Sequence, residues 1–179
     1  MGGVTTDPEL LRGVMRHWAT GVAILTARHA GVAHGMTVNS FCSVSLTPPL
    51  VLVSIEQTVR THGLVEGSGV FAVSFLRDGQ AWISDRFAGR ETENTDRFEG
   101  LPVFTAETGA PILADNIGYL DCRVTAAYPA GNHTIFVAAV AAAGSGTAGL
   151  VVGDEGAGAN GAEPAEPLLY FNRDYRKMG

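Results

Sequence analysis

Cysteine is nearly absent: only Cys42 and Cys122 occur in 179 residues. Two thiols do not build a disulfide framework. With no histidine or cysteine clusters beside them they do not suggest a metal site either. Lysine is scarcer still, with Lys177 alone against a set of arginines, and charged residues make up only 17% of the chain. The net charge of −6 comes without any basic stripe, which argues against nucleic acid as a partner. Long apolar runs are missing. The longest, residues 135–143, is about half of the roughly 18 residues a membrane-spanning helix needs. The opening "MGGVTTDPEL" lacks the basic, apolar and small-residue blocks of a secretion signal, so a cytoplasmic protein with no membrane partner is expected. The Ala/Gly/Arg-rich, lysine-poor usage matches a high-GC bacterial genome by association.

What is present is a globular composition, 46% apolar, on a length that favours one domain over residues 1–179. The chain opens with a helix. Asp7 can cap it with Pro8 in the first turn, or Thr6 and Glu9 can form a capping box. Leu10, Leu11, Val14, Met15 and Trp18 share its apolar face. Strand patterns follow at 22–28, 32–41, 50–55 and 70–76, then a hairpin of 119–128 with 134–143, and a final strand in "LLYFNRDYR". Short helices are expected in "TVRTHGLVEG" and "DGQAWISDRF", the second capped by Asp78. Residues 88–118 read as surface loop, and 144–166 as a Gly/Ala-rich loop. "GAGANG" at 156–161 has dinucleotide spacing but lacks a strong strand before it and a helix after it, so it is rejected as a fingerprint. Some six or seven strands without βαβ alternation make a mainly β, antiparallel barrel the expected class.

One stretch breaks the strand pattern: "HGMTVNSFCSVSLTPPLVLVSI", residues 34–55. Thr37, Asn39, Ser40, Ser43 and Ser45 stand where a core would want Val and Ile. Small hydroxyls beside a glycine suit close approach of the main chain to a planar ligand. Ser54 and Thr61, with Arg60 nearby, could add donors for a phosphate at a helix start. A bulged strand with solvent-facing Ser and Thr is the alternative that composition leaves open. Taken singly, His133 is a turn residue, Cys42 a small buried hydrophobe, Cys122 core, and Trp18 and Trp82 packing groups. His62 is balanced between a phosphate contact and a polar helix-start residue.

The order of the motifs adds to this. "TGVAILTARHAGVAHGMTVNSFCSVSLTPPLVLVSI", then "DRFAG", "YPAGNHTIFVAAV" and "PLLYFNRDYR" closely resemble the short-chain flavin reductases, the NAD(P)H:flavin oxidoreductases that serve two-component flavin-dependent monooxygenases. The resemblance implies a six-stranded antiparallel Greek-key split β-barrel with a few short helices, and a homodimer with flavin near its interface. It implies hydride transfer from NAD(P)H to FAD or FMN, and release of reduced flavin to a monooxygenase or halogenase partner. No arginine can be tied to a 2′-phosphate, so NADH is preferred to NADPH. By the same resemblance the flavin would be met by Thr37, Val38, Asn39, Ser40, Cys42, Ser43, Ser54, Ile55, Thr61, Phe87, Ala88 and Gly89. The nicotinamide would be met by His133, Tyr170 and Tyr175. Asn132 stands where the family usually carries Asp, which removes a charge beside His133. No side chain is expected to act as acid or nucleophile, because the cofactors carry the chemistry. A binding-only flavoprotein and a pyridoxamine-phosphate oxidase-like FMN enzyme are the alternatives.

Overall fold

The computed structural model describes residues 6–90, 96–146 and 165–178. In chain order these form α1 (Pro8–Met15), β1 (Thr20–Gly21), β2 (Ala23–His29), β3 (Val32–Val38), β4 (Phe41–Leu46), β5 (Pro49–Glu56), α2 (Arg60–Ser68) and β6 (Val70–Phe75). There follow α3 (Ala81–Phe87), β7 (Val103–Thr105), β8 (Pro111–Leu113), β9 (Gly118–Ala130), β10 (His133–Gly144), β11 (Leu169–Phe171) and β12 (Asp174–Arg176). The protein is mainly β with short helices, as expected.

The main sheet has the order β3-β2-β6-β9-β10-β5-β4, and every neighbouring pair in it is antiparallel. It therefore holds seven strands where the resemblance implies six, and it is not a closed barrel: β3 and β4 are its two ends. The additional strand is β4, in the stretch that sequence alone marks as irregular. Phe41, Cys42 and Ser43 pair with Val53, Leu52 and Val51, and the register slips between Ser43 and Ser45. Serines are tolerated there because β4 is an edge strand with exposed side chains, where burial does not demand branched apolar residues.

The continuous apolar run "LVLVSI" forms β5, and its burial alternates: Val51, Val53 and Ile55 are buried and the residues between them are not, following the two-residue period of a pleat. β2 is buried on both faces. Ala23, Leu25 and Ala27 join a core with Val53, Phe71 and Phe136, whereas Val22 and Ile24 join a second core with Ile83, Phe87 and Leu168. The second core fastens α3 and the C-terminal segment to the sheet.

Several local expectations change. Asp7 does cap α1, accepting from the Glu9 amide at 2.9 Å, but the helix buries none of its residues in this chain. Trp18 and Trp82 are 68% and 47% exposed, so neither is a packing residue here. Trp82 instead lies under the Arg86 guanidinium, 5.1 Å from its ring centre. Asp78 does not cap α3; Gln80 holds that position, and the Asp78 carboxylate pairs with Lys177 at 2.8 Å. The 88–118 segment is not all loop, because β7 and β8 form a small hairpin with Ile112 and Leu113 buried. The closing strand is a hairpin, β11 with β12, turned by Asn172 and Arg173 in the left-handed region. Most of the 144–166 loop, including "GAGANG", lies outside the described residues.

Candidate functional site

Two cavities open beside the end of β3. The smaller, about 160 Å³, is walled by Thr37, Val38 and Asn39, by Ser84 and Ala88 of α3 and its C-terminal end, and by Tyr170 and Tyr175 of the C-terminal hairpin. Arg90 stands on its rim. The larger, about 380 Å³, has Trp18, Phe41, Phe75 and Ile117 among its walls. Asn39 and Val22 belong to both. The larger volume falls within the range of small-molecule sites. Apolar walls with a rim of hydroxyl, amide and guanidinium groups fit a flat heterocycle carrying polar edges.

Hydrogen bonds hold the three walls together. The Thr37 hydroxyl donates to the Ser84 carbonyl, tying β3 to α3. The Tyr175 hydroxyl lies 2.7 Å from Asp85 Oδ1, to which it donates, and 2.9 Å from Ser84 Oγ, tying the C-terminal hairpin to the same helix. Arg90 also donates to Asp85 Oδ1, at 2.6 Å. Its hydrogen bond to Tyr170, with the nearby Tyr175 and Asp85, raises the guanidinium above its ordinary value. Burial and the Asp85 carboxylate raise the Tyr175 phenol. The rim therefore presents an Arg90–Asp85 ion pair whose carboxylate also accepts from Tyr175.

The structure gathers Thr37, Val38, Asn39, Ala88, Tyr170 and Tyr175 around one cavity. Ser40 and Ser54 are tied to each other instead: the Ser40 hydroxyl donates to the Ser54 carbonyl at 2.6 Å, and the Ser54 amide donates to the Ser40 carbonyl at 3.2 Å. Cys42 is exposed, which corrects its reading as a buried hydrophobe. Cys42 and Ser43 sit on the exposed edge strand and line neither cavity. Because β4 is laddered to β5, the main-chain groups free at 41–43 are those of a sheet edge and not of an irregular loop. The Ile55 and Phe87 side chains are fully buried in the two cores, so only their main chain can face a ligand. Cys122 is core as expected, and burial with the neighbouring Asp121 pushes its thiol up to about 12, leaving it unreactive.

Thr61 is buried and belongs to a second polar cluster. Its Oγ1 is 2.8 Å from His34 Nδ1. His62 points inward, 2.8 Å from Thr134 Oγ1 and against the Phe136 ring, so it is a core group and not a phosphate contact. Arg97 donates from Nη1 to the carbonyls of Gly35 and Phe87, both at 2.8 Å. Gly89 adopts φ +73, and a Cβ there would come within 3.0 Å of Arg97 Nη2. Thr61, Phe87 and Gly89 are thus associated with His34 and Arg97. His133 opens β10 beside the turn, with Nδ1 2.9 Å from Asn132 Oδ1. It lines neither cavity.

Burial, Arg97 and Arg60 lower His34 to about 4. A histidine depressed in the fold stabilises the protein above its unfolded value near 6.5, and that contribution is lost as pH falls toward 4. Melting temperature should therefore fall between pH 6.5 and 4, and His34→Gln should flatten that part of the profile. Parallel profiles in the two proteins would contradict the assignment.

Ser84, Arg90, Arg97 and Val22 were not singled out by sequence. Arg90 and Arg97 flank the polar "ETENT" run, and nothing local separates them from solvated arginines. Only the approach of residues 35, 85 and 87 gives them partners.

The model of the flavin reductase like domain matches residues 15–179. The chain belongs to the flavin reductase like family. One relative is the NADH-dependent flavin reductase StyB of Pseudomonas fluorescens, 35% identical over 173 residues that cover 96% of this chain and 91% of that protein. Another is the reductase component of the 4-hydroxyphenylacetate 3-monooxygenase of Thermus thermophilus, 34% identical and covering 95% of this chain and 96% of that one. The solved NADH:FAD oxidoreductase SgcE6 of Streptomyces globisporus, in complex with NAD and FAD fragments, superposes with a TM-score of 0.80 at 30% identity. It covers 99% of this chain and 98% of its own. Family membership agrees with the resemblance carried by the motifs at 20–55, 85–89, 128–140 and 167–176; the first, second and fourth of these contribute to the smaller cavity, and the first and fourth to the larger.

Proposed function

We propose that this protein is an NAD(P)H:flavin oxidoreductase that passes a hydride from NADH to FAD or FMN and delivers the reduced flavin to a flavin-dependent monooxygenase or halogenase. The observation that carries the reading is the pair of cavities meeting at Asn39, walled by small side chains of β3, by α3 and by two tyrosines, in a chain whose relatives are NADH-dependent flavin reductases. When bound, the flavin supplies the hydride-accepting N5. The chain's own residues hold it in place and keep water out.

Thr37, Val38 and Asn39 form the face against the ring. The apolar walls at Phe41 and Phe75 exclude water, which strengthens every charge interaction inside. Arg90, held by Asp85 and Tyr170, sits where negative charge gathering on a reduced ring would be offset. No residue needs to exchange a proton for this, and the raised Arg90 and Tyr175 are suited to staying protonated. His133 keeps its proposed nicotinamide role on the family resemblance alone. His133→Ala should raise the KM for NADH more than that for flavin, and equal rises would remove it from the site.

The exposed apolar face of α1, with Leu10, Leu11, Val14 and Met15 each more than half exposed, supports a homodimer. One core gathers Val38 of β3, Val73 of β6, Phe136 of β10 and Val53 of β5 from along the whole sheet, which supports the family's split barrel. No described helix is long and apolar enough to cross a membrane, and a cytoplasmic site of action accords with that. The deciding experiment is steady-state NADH and NADPH oxidation with FAD, FMN and riboflavin each added. A flavin-dependent rate well above the uncatalysed background is expected. Its absence would favour a binding-only flavoprotein.

A further inference from the structure

Among the described residues that line the two cavities, Arg90 is the one charged side chain. The field these walls place on a bound ring is therefore set by Arg90 and by what holds it. Asp85 holds it twice. The Arg90 amide donates to the Asp85 carbonyl, and the Gly89 amide to the Arg86 carbonyl, both at 3.1 Å. This is the paired closure of a helix that ends on a left-handed glycine, here Gly89 at φ +73. The Arg90 guanidinium then folds back onto Asp85 Oδ1 at 2.6 Å. The same oxygen accepts from the Tyr175 hydroxyl at 2.7 Å, so the C-terminal hairpin fixes the carboxylate from a second side. Asp85 itself lines neither cavity. It stands behind the rim's cation and cancels part of that cation's field.

The cancellation matters because a ring that takes up a hydride gains one negative charge until a second proton joins it. A bare guanidinium beside that charge would hold the reduced form far more tightly than the oxidised one. A guanidinium already paired with a carboxylate holds the two forms more nearly alike. We propose that Asp85 is a positioning and charge-balancing residue, which keeps Arg90 from gripping the reduced flavin so that the product can leave. The proposal rests on the reductase reading above.

The test is the midpoint potential of FMN bound to the full chain, with Kd for oxidised and reduced FMN from aerobic and anaerobic titration. Asp85→Asn keeps the size of the side chain and an acceptor oxygen for Tyr175, and removes only the charge. It should tighten reduced relative to oxidised FMN about threefold to tenfold, which raises a two-electron potential by about 15–30 mV. Arg90→Gln leaves Asp85 unopposed and should shift the potential by a similar amount in the other direction. The double variant should return close to the wild type, since it again presents no net charge. High salt should shrink both single shifts. The two side chains are 36% and 54% exposed, and Arg90→Gln read alone keeps the test standing if Asp85→Asn does not fold. A merely structural role would weaken both redox forms together and could not give shifts of opposite sign. Shifts of the same sign, an unmoved potential, or a double variant that does not return would overturn the proposal. A wild type that binds neither form of the flavin would instead bring down the reductase reading, and this proposal with it.

Discussion

Asn39→Leu should weaken flavin binding by about tenfold or more, equivalent to some 1.4 kcal/mol, with little change in melting temperature. Asn39 is exposed and lies at the junction of the two cavities, in the break between β3 and β4. A leucine there puts a branched apolar group into the passage a planar ring must occupy and removes an amide that can serve the ring's edge. The fold has no large stake in the side chain, since substitutions at exposed positions away from caps and cores usually change stability by about half a kcal/mol or less. Fluorescence titration with FMN and FAD, beside a thermal unfolding curve, checks both halves. Unchanged affinity would mean that the ring is held somewhere other than the end of β3.

Gly35→Ala should act in the opposite balance, on stability first and binding second. Gly35 is buried in β3 with an ordinary backbone, so left-handed geometry is not the reason for a glycine. Space is the reason. A Cβ there would lie 2.7 and 2.9 Å from two atoms of the Phe87 ring and 3.0 Å from Thr26 Cγ2. Phe87 is itself fully buried against Phe98 and the second core, and Arg97 ties the two residues' carbonyls together. The ring cannot swing away without moving α3. Overpacking of this kind costs about 1–3 kcal/mol, which should lower the melting temperature by several degrees. Moving α3 also separates Ser84 from Thr37 and Tyr175, so flavin affinity should fall with it. An unchanged melting temperature would show that Phe87 has room to yield.

These two neighbouring positions, 35 and 39, show how unevenly the site could be read from sequence. The segment itself was legible, because a glycine and a row of small polar residues interrupt a strand pattern. Thr37, Val38 and Asn39, expected to share one ligand face, line one cavity. Its irregularity was overread: Phe41–Leu46 is a laddered strand, and its serines follow from an edge position, which only pairing partners define. Likewise the apolar stripe of α1 and its Asp7 cap are local patterns and formed as expected, while the exposure of that stripe among the described residues is decided by the tertiary arrangement.

The chain's own order of residues determined the strands with alternating or continuous apolar runs, the β9–β10 hairpin with Gly131 in its turn, the short helices and the family to which the protein belongs. Each rests on period, turn chemistry or motif spacing, which neighbours in sequence supply. Tertiary structure alone decided that Tyr175 meets Ser84, that Arg90 stands at a cavity rim, that Ile55 is core and that Arg97 clamps Gly35 to Phe87. Those contacts join segments tens of residues apart through strand register and helix docking, and no local propensity encodes a register between distant segments.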